Sequence, residues 1–265
     1  MTRPPVLPRP AGAWLAGTLV ERNALSFRRQ WVAFATGFAE PVFYLLSLGV
    51  GLGALVGAVT SQSGRAVPYA VFIAPAMLAT SAMNAGVMDS TFNVFFKLNY
   101  AKLYDSILAT RMGPRDIAIG EVTWSLLRGG AYAAAFLAVA ALAGLVPSWW
   151  GVLALPAAVF VAFAFSAVGM FATTFMRSWV DFDYVNLVVQ PLFLLSATFF
   201  PLTAYPPWAQ WLVQATPLYH GVELCRSLCL GEVGAGLLWH VGYLAVMGGL
   251  GVVGAARRVD QLLLR

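Results

Sequence analysis

Charged residues are scarce in this 265-residue chain. Only 10% of its residues are Asp, Glu, Lys or Arg, whereas 60% are hydrophobic, and the mean hydropathy is +0.77. About a quarter of the residues in a soluble domain are normally charged, so this composition excludes a soluble globular protein and indicates an integral membrane protein. Basic runs with interleaved aromatic residues are also absent, and nucleic acid is therefore not expected as a partner.

Lysine is almost missing, which excludes one class of nucleotide site. The two lysines, Lys97 and Lys102, follow Phe96 and Ala101, so the chain contains no G-x-x-x-x-G-K-[ST] phosphate loop. The hydrolase and protease signatures G-x-S-x-G and H-E-x-x-H are absent as well. We therefore predict that this chain has no catalytic site of its own.

Cysteine and histidine are equally rare. Cys225 and Cys229 lie four residues apart without further ligands at metal-binding spacing, which favours a packing role over a disulfide or a metal site. His220 and His240 are isolated in the sequence and are assigned no catalytic role. No metal and no cofactor are expected in this chain.

Long apolar runs dominate instead, and they predict an all-α membrane protein with six transmembrane helices. A helix needs about 20 apolar residues to cross the hydrocarbon core. A cytoplasmic segment with an interfacial helix (1–30) and a cytoplasmic tail (257–265) flank the spans. The predicted spans cover residues 31–59, 68–93, 117–146, 151–175, 184–201 and 237–256.

Basic residues predict the orientation of these spans. On the side opposite to the termini lie only Arg65 and Arg226. By the positive-inside rule, both termini are expected in the cytoplasm, with the chain in a bacterial inner membrane. The basic residues on the side of the termini are Arg3, Arg9, Arg22, Arg28, Arg29, Lys97, Lys102, Arg111, Arg115, Arg177, Arg257, Arg258 and Arg265.

The first predicted span carries a repeated G-x-x-x-G pattern, formed by Gly49, Gly53 and Gly57. Small residues on one face let another helix approach closely. The pattern fits a contact within the chain and a contact between subunits equally well.

Four charged residues fall inside predicted spans: Glu40, Asp89, Glu121 and Arg128. A charge at the centre of a bilayer costs about 2.5–3.5 kcal/mol unless it snorkels or pairs, so a partner is expected for Glu40. Glu121 and Arg128, seven residues apart on one helix face, either snorkel or pair with neighbouring helices. Charged residues embedded in a membrane are functional by default, so Glu40, Glu223 and Arg226 are predicted to be functional, and a purely structural ion pair is the alternative.

Residues 99–121 form the only long polar segment between two very hydrophobic ones, and residues 99–112 within it follow a helical pattern. Their spacing predicts a short amphipathic helix that lies on the membrane surface with one face free. A loop helix that merely caps its neighbours fits the same pattern. One face carries Tyr100, Leu103, Tyr104, Ile107 and Leu108, and the other face carries Lys102, Asp105, Ser106 and Arg111.

Residues 202–234 are interrupted by Pro206-Pro207, Thr216-Pro217 and Gly231. They predict two helices, each too short to span, with Thr216 as N-cap and Pro217 in the first turn of the second helix. This hairpin either re-enters the membrane under a cover of protein or lies at the interface. Glu223 and Arg226 are spaced to pair within it.

Three motifs carry a family resemblance that spans nearly the whole chain. They are Glu40-Pro41-x-x-Tyr44 with the glycine-rich run after it, Leu108-Ala109-Thr110 through Asp116-Ile117-x-x-Gly120-Glu121-x-x-Trp124, and Phe200-Pro201 through Pro217-Leu218-x-His220-x-x-Glu223-Leu224-x-Arg226-x-Leu228. Together they resemble the membrane subunit of ABC type-2 exporters, nearest to the nodulation lipo-oligosaccharide and drug-resistance export branch. Other branches often have a proline after the Ala-Thr pair, where Arg111-Met112 stand here.

The resemblance implies a transmembrane permease that moves an amphipathic, lipid-linked, glycolipid or drug-like substrate out of the cytoplasm. Two copies of a separate ABC ATPase subunit would bind ATP and Mg, and a second permease copy would complete a homodimer, with a related permease as the alternative. The first and fifth spans would line the path. The ATPase would seat on the coupling helix 99–112, through Tyr100, Lys102, Leu103, Tyr104, Asp105, Ile107, Leu108 and Arg111. The re-entrant hairpin, with Pro217, His220, Glu223 and Arg226, would lie near the exit.

Two other classes of function fit the residues. An ion- or proton-coupled carrier would use Glu40, Asp89 and Glu121 as a relay and would need no nucleotide. A membrane scaffold would need no conduit.

Overall fold

The computed structural model describes residues 13–28, 39, 41–97, 103–110 and 112–263. Four residues singled out in the sequence, Glu40, Tyr100, Lys102 and Arg111, lie outside these ranges. Within them the chain is mainly helical. The helices are α1 (Ala13–Arg28), α2 (Pro41–Val56), α3 (Tyr69–Asn93), α4 (Leu103–Leu108), α5 (Pro114–Leu142), α6 (Ala154–Thr173), α7 (Asp181–Leu195), α8 (Pro207–Ala215), α9 (Pro217–Leu230) and α10 (Gly236–Leu263).

Short elements complete the fold at the turns. Strands β1 (Ala58–Thr60) and β2 (Ala66–Pro68) pair antiparallel between α2 and α3. A 3₁₀ segment (Trp149–Leu153) leads directly into α6, and a second one (Leu202–Ala204) precedes α8.

Among the described residues, four helices are long and apolar enough to cross a membrane. They cover Tyr69–Asn93, Ile119–Leu142, Trp149–Thr173 and Gly236–Arg258, and they correspond to the second, third, fourth and sixth predicted spans. The first and fifth predicted spans contain the shorter helices α2 and α7. With 15 residues, α7 extends about 22 Å, which is less than the hydrocarbon thickness of about 30 Å. The count of six spans stays a prediction.

The core lies where α3, α6 and α9 meet, with α10 packed along α6. Glycine permits the closest helix approaches. A Cβ atom added to Gly86 of α3 would lie 2.5 Å from the carbonyl oxygen of Ala162 in α6, and one added to Gly251 of α10 would lie 2.7 Å from the backbone nitrogen of Val168. These backbones are therefore in direct contact, as small residues allow between membrane helices.

The predicted G-x-x-x-G face contacts the chain itself. A Cβ on Gly49 would lie 3.4 Å from the Cβ of Ala70, and one on Gly53 would lie 3.9 Å from that of Tyr69. Gly57 takes no part in this packing, because it ends α2 with a φ of +70° and has nothing within 4 Å of an added Cβ. This backbone conformation favours glycine at a helix end, and a contact of Gly57 with a second subunit stays a prediction.

The predicted hairpin forms the helices α8 and α9, and α9 is placed inside the bundle. Nearly all of its residues are buried against α3, α6, α10 and the first 3₁₀ segment, which excludes an α9 that lies on the surface of the bundle. Pro217 occupies the first turn as predicted, and Gly231 ends the helix with a φ of +77°. The Thr216 hydroxyl does not cap the helix, since it hydrogen-bonds the Val213 carbonyl at 2.7 Å and the Ser196 hydroxyl at 2.8 Å.

The two ends of the bundle differ in composition. One end, called here the α1 end, contains α1, α4 and the start of α5. The other, called the hairpin end, contains the β-hairpin, α8 and the residues at both ends of α9, since Gln62 contacts Tyr219 and Ser61 contacts Glu232. Helices α3 and α5 run between the two ends.

Candidate functional site

Helix α4 is held to the α1 end by its apolar side chains. Ile107 is buried in a small cluster with Leu19 of α1, Val94 after α3 and Ile117 of α5, and Leu103 packs against this cluster. The apolar face predicted for this helix therefore carries at least two residues that anchor it to the rest of the chain. Among the described residues the helix covers Leu103–Leu108 and ends before the predicted Met112.

The surface that α4 exposes lies elsewhere on the helix and just after it. Ser106, Ala109 and Thr110 are exposed, and the Thr110 hydroxyl donates to the Ile107 carbonyl at 2.6 Å. Tyr104, Asp105 and Leu108 also belong to this segment, and their assignment to ATPase contact remains a prediction.

Next to α4, a buried polar triad joins three parts of the chain. The Lys97 ammonium lies 2.6 Å from Glu121 Oε2 of α5. The Asn23 side chain of α1 donates to the same oxygen at 3.4 Å and lies 3.5 Å from the Lys97 nitrogen. Among the described residues, Glu121 Oε1 has no hydrogen-bond partner. Of the two alternatives predicted for Glu121, the structure forms the pair with a neighbouring helix.

Further into the bundle, Arg128 of α5 binds Asp89 of α3 with two nitrogens. Its Nε atom lies 2.8 Å from Asp89 Oδ2, and Nη2 contacts Oδ1. The Asn93 amide donates to Oδ1 at 2.8 Å. Fork-shaped pairing of this kind is stronger and more directional than a single hydrogen bond. Arg128 thus pairs between helices.

These two ion pairs bear on the proton-relay alternative. Asp89 and Glu121 are each bound to a different cation, Arg128 and Lys97, so both carboxylates are compensated where they stand. The third relay residue, Glu40, lies outside the described residues. The described geometry therefore offers no observation that favours a relay.

The third buried ion pair lies within α9. Arg226 Nη1 contacts Glu223 Oε1 as the spacing predicted. The same guanidinium donates to the carbonyl of Ala197 at 2.9 Å and to that of Phe72 at 3.3 Å, and it lies 3.9 Å from the centre of the Phe72 ring. Ala197 has a φ of +53°, a conformation that costs energy for a residue with a Cβ atom. Arg226 therefore ties α9 to α3 and to the strained segment after α7.

The two histidines are not isolated in space. His220 Nδ1 of α9 lies 2.8 Å from His240 Nδ1 of α10, and the ring of Tyr243 stacks on His220 with centroids 3.9 Å apart. The expectation of two separate histidines was wrong. No sequence signal marks the pair, because the two residues belong to different helices and share no motif. Cys225 and Cys229 are free and buried in α9, in agreement with a packing role.

Two cavities flank this part of the bundle. A cavity of about 660 Å³ opens at the hairpin end between the β-hairpin, α8, α9 and α10, and it is lined by residues such as Gln62, Trp211, His220 and Trp239. A cleft of about 440 Å³ lies between α6 and α7 and has an almost wholly apolar lining.

Comparison with known proteins agrees with this architecture. Residues 15–230 match the model of the family described as ABC-2 type transporter. The chain is 33% identical to nodulation protein J of Rhizobium leguminosarum bv. viciae, over 89% of this chain and 90% of that protein. It is also 33% identical to nodulation protein J of Sinorhizobium fredii strain NGR234, over 89% of both chains. With nodulation protein J of Rhizobium meliloti strain 1021 it shares 31% identity, over 89% and 88%.

The match covers all the elements described above except the final helix. Four apolar helices of spanning length support a multi-pass membrane protein, and membrane subunits of this family work with a separate ATPase subunit. The chain belongs to the ABC-2 type transporter family, as a membrane permease similar to the nodulation J proteins.

Proposed function

We propose that this permease exports an amphipathic or lipid-linked compound, and that α4 passes the movement of a separate ABC ATPase subunit to the membrane helices. The observation that carries the proposal is the way α4 packs against its neighbouring helices. Its buried side chains join it to α1, α3 and α5 at once, while Ser106, Ala109 and Thr110 stay exposed. A force applied to the exposed part acts on three helices through one small cluster.

The buried ion pairs support this route into the bundle. The Lys97–Glu121 pair lies beside the α4 cluster, and the Asp89–Arg128 pair joins the same two helices further along. Closely packed helices with such defined contacts move as units and are not deformed continuously. Helices α3 and α5 would thus shift together when the ATPase subunits close.

The orientation proposed from the basic residues gains support from Arg226. Arg226 is buried in an ion pair with Glu223, so it is not a charge in an exposed loop. Of the two basic residues predicted on the side opposite to the termini, only Arg65 then counts under the positive-inside rule. With the positive-inside rule, the α1 end and both termini lie in the cytoplasm, and the hairpin end lies outside.

A second permease copy is proposed to face α2 and α7. Helix α7 has no buried residue, and α2 exposes large apolar side chains such as Phe43 and Leu55. Tyr44 and Phe193 bring the two helices together, with ring centroids 5.8 Å apart. Two permease copies and two ATPase subunits would then form one exporter, with α2 and α7 beside the substrate path.

The coupling proposal is tested with two matched substitutions. Ala109→Arg places a long charged side chain on the exposed surface next to α4, and Ala256→Arg does the same at an exposed position of α10. We expect only Ala109→Arg to release a co-purifying ATPase and to abolish ATP-dependent export in membrane vesicles, while both variants keep the melting temperature of the parent chain.

Two results would contradict the proposal at different levels. Normal ATPase recovery and transport by Ala109→Arg would reject α4 as the coupling element. Recovery of the folded parent chain from its host without any ATPase would reject the ATP-driven mechanism as a whole.

A further inference from the structure

The cleft between α6 and α7 is long, narrow and apolar. Val168 of α6 and Val188 and Leu192 of α7 are among its lining residues, and its volume is about 440 Å³. Along α6 the lining runs from Phe165 to Met176, which is about 16 Å at a rise of about 1.5 Å per residue. One leaflet of a bilayer supplies half of a hydrocarbon core of about 30 Å. The cleft is therefore about as long as one leaflet is thick.

The cleft uses one face of α7 and leaves the opposite face free for other contacts. The lining residues of α7 recur at helical spacing; they are Asp181, Tyr184, Val185, Val188, Val189 and Leu192. Leu187 and Gln190 lie on the opposite face, as does Phe193, which contacts α2 through Tyr44. An occupant of the cleft is thus kept apart from the face of α7 that is proposed to meet the second permease copy and the substrate path.

The cleft is open to its surroundings on the outer side. Tyr184 and Val188 are 66% and 60% exposed, and Phe175 at the end of α6 is 53% exposed. Helix α6 belongs to a segment long and apolar enough to span the membrane, so this opening lies beside the acyl chains of the bilayer. An acyl chain can enter it without burying a polar group, which would be costly.

The two ends of the cleft differ in polarity. Towards the hairpin end its lining is apolar, with Pro217 of α9 and Met247 of α10. At the α1 end, Arg258 of α10 lies over the lining residue Phe175, with its Cζ atom 4.4 Å from the ring centre. Arg177 is exposed in the turn directly after the lining residue Met176. An amphipathic occupant would therefore place its polar group at the α1 end.

The charge at this end favours an anion. Among the described residues that line the cleft, Asp181 is the one carboxylate, and the backbone N–H groups of Arg177 and Ser178 already donate to it at 2.6 and 3.0 Å. Asp183 does not line the cleft. Arg177 and Arg258 together outweigh the single carboxylate. Arginine binds phosphate oxygens through its planar fork, and basic residues next to a membrane helix attract anionic lipid headgroups.

We propose that the cleft between α6 and α7 holds an acyl chain of an anionic phospholipid of the bilayer, whose phosphate lies at Arg177 and Arg258. That the lipid belongs to the cytoplasmic leaflet rests on the orientation proposed above, whereas its binding to the cleft does not. The lipid is a bound component of the permease and is not the exported compound.

Binding is measured by native mass spectrometry on the full-length chain in detergent, without nucleotide. The probes are phosphatidylglycerol and phosphatidylcholine with the same two oleoyl chains, so only the net charge of the headgroup differs. We expect saturable binding of both lipids, with phosphatidylglycerol preferred. Arg258→Gln should weaken phosphatidylglycerol binding about fivefold and affect phosphatidylcholine less. Val188→Trp, which fills the cleft, should weaken both lipids about tenfold.

Two matched controls separate these effects from general ones. Leu187→Trp adds the same ring on the opposite face of α7, where Leu187 is 69% exposed. Arg22→Gln removes one positive charge from α1 at the same end of the bundle. Both controls should bind the two lipids as the parent chain does, and all four variants should keep the melting temperature of the parent.

Four results would overturn the proposal. Absence of saturable lipid binding, or equal losses in Val188→Trp and Leu187→Trp, would reject the cleft as a lipid site. Equal affinity of the parent chain for the two lipids would reject the anionic headgroup. A dimer of the parent chain that Val188→Trp dissociates, with lipid binding unchanged, would assign the cleft to a second copy. ATP-driven movement of phosphatidylglycerol across proteoliposomes would make the lipid a substrate.

Discussion

The two ends of the bundle use polar side chains in different ways. Near the α1 end, Lys97–Glu121 and Asp89–Arg128 are ion pairs between separate helices. At the hairpin end, the ion pair Glu223–Arg226 lies within one helix, and charged groups bond neutral partners on other elements: Arg226 donates to the Ala197 carbonyl, and Glu232 accepts from the Ser61 hydroxyl. Among the described residues, the ion pairs between separate helices therefore lie near the α1 end, where the helices would move.

The largest effect is expected at Arg226. Arg226→Leu leaves Glu223 buried without its cation and removes two bonds to carbonyl groups, and loss of one partner of a buried pair costs about 3–5 kcal/mol. We expect a large fall in the melting temperature of the detergent-purified chain. The double variant Glu223→Gln with Arg226→Leu should recover part of the loss, and an unchanged melting temperature in the single variant would contradict the buried pair.

A smaller effect is expected at Lys97, which makes the contrast between the ends measurable. The Lys97 side chain is 19% exposed, so water can partly compensate Glu121, and we expect Lys97→Met to cost about 1–3 kcal/mol. The same variant should lower ATP-dependent transport more than Arg226→Lys does, because it disconnects α3 from α5 beside α4. Equal transport by Lys97→Met and Arg226→Lys would show that transport depends no more on the ion pair near the α1 end than on the one at the hairpin end.

A third test concerns a close contact between two helices, α6 and α10, that involves no charged residue. Gly251→Ala forces a Cβ against the backbone of α6, whereas an added Cβ on Gly249 of the same helix meets nothing within 4 Å. We expect Gly251→Ala to cost about 1–3 kcal/mol and Gly249→Ala to leave unfolding nearly unchanged. Thermal unfolding of the two variants side by side measures the difference, and equal behaviour would contradict the close approach of α6 and α10.

The smallest effect concerns the turn before α7. The backbone N–H groups of Arg177 and Ser178 donate to the Asp181 carboxylate at 2.6 and 3.0 Å, and these bonds hold the pKa of Asp181 below its ordinary value of 3.8. A lowered pKa in the folded state stabilises the turn above that ordinary value, and the stabilisation is lost as the pH falls through the folded pKa. The protection factor of the Ser178 amide, which is its exchange corrected for the intrinsic pH dependence of amide exchange, should therefore fall on acidification in the parent chain and depend less on pH in Asp181→Asn.

Much of the fold could be predicted from local sequence patterns, whereas contacts between residues far apart in the sequence could not. Apolar runs located the four long spans, and Thr216-Pro217 and Gly231 gave the bounds of α9, because propensity and capping act within a few residues. The partner of Arg128 is 39 residues away and that of His220 is 20 residues away, so neither pair has a spacing that a single sequence reveals.

Other features were ambiguous in the sequence for a physical reason. A largely apolar short helix looks the same whether lipid or protein covers it, so the burial of α9 was not predictable. Gly57 completed a packing motif by spacing, yet a glycine that ends a helix satisfies the same pattern. Residues of α4 share one helical face, but periodicity does not tell which side faces the protein, and the structure turns Ile107 inward.

The burial of α9 has a consequence for how the chain is made. A helix of 14 residues is too short to be inserted as a span of its own, yet its neighbours α3, α6 and α10 surround it. During synthesis α3 and α6 emerge before it and α10 after it, and earlier segments fold first. Helix α9 therefore docks into a groove formed by helices that precede it in the chain, and α10, which is translated after it, closes the groove.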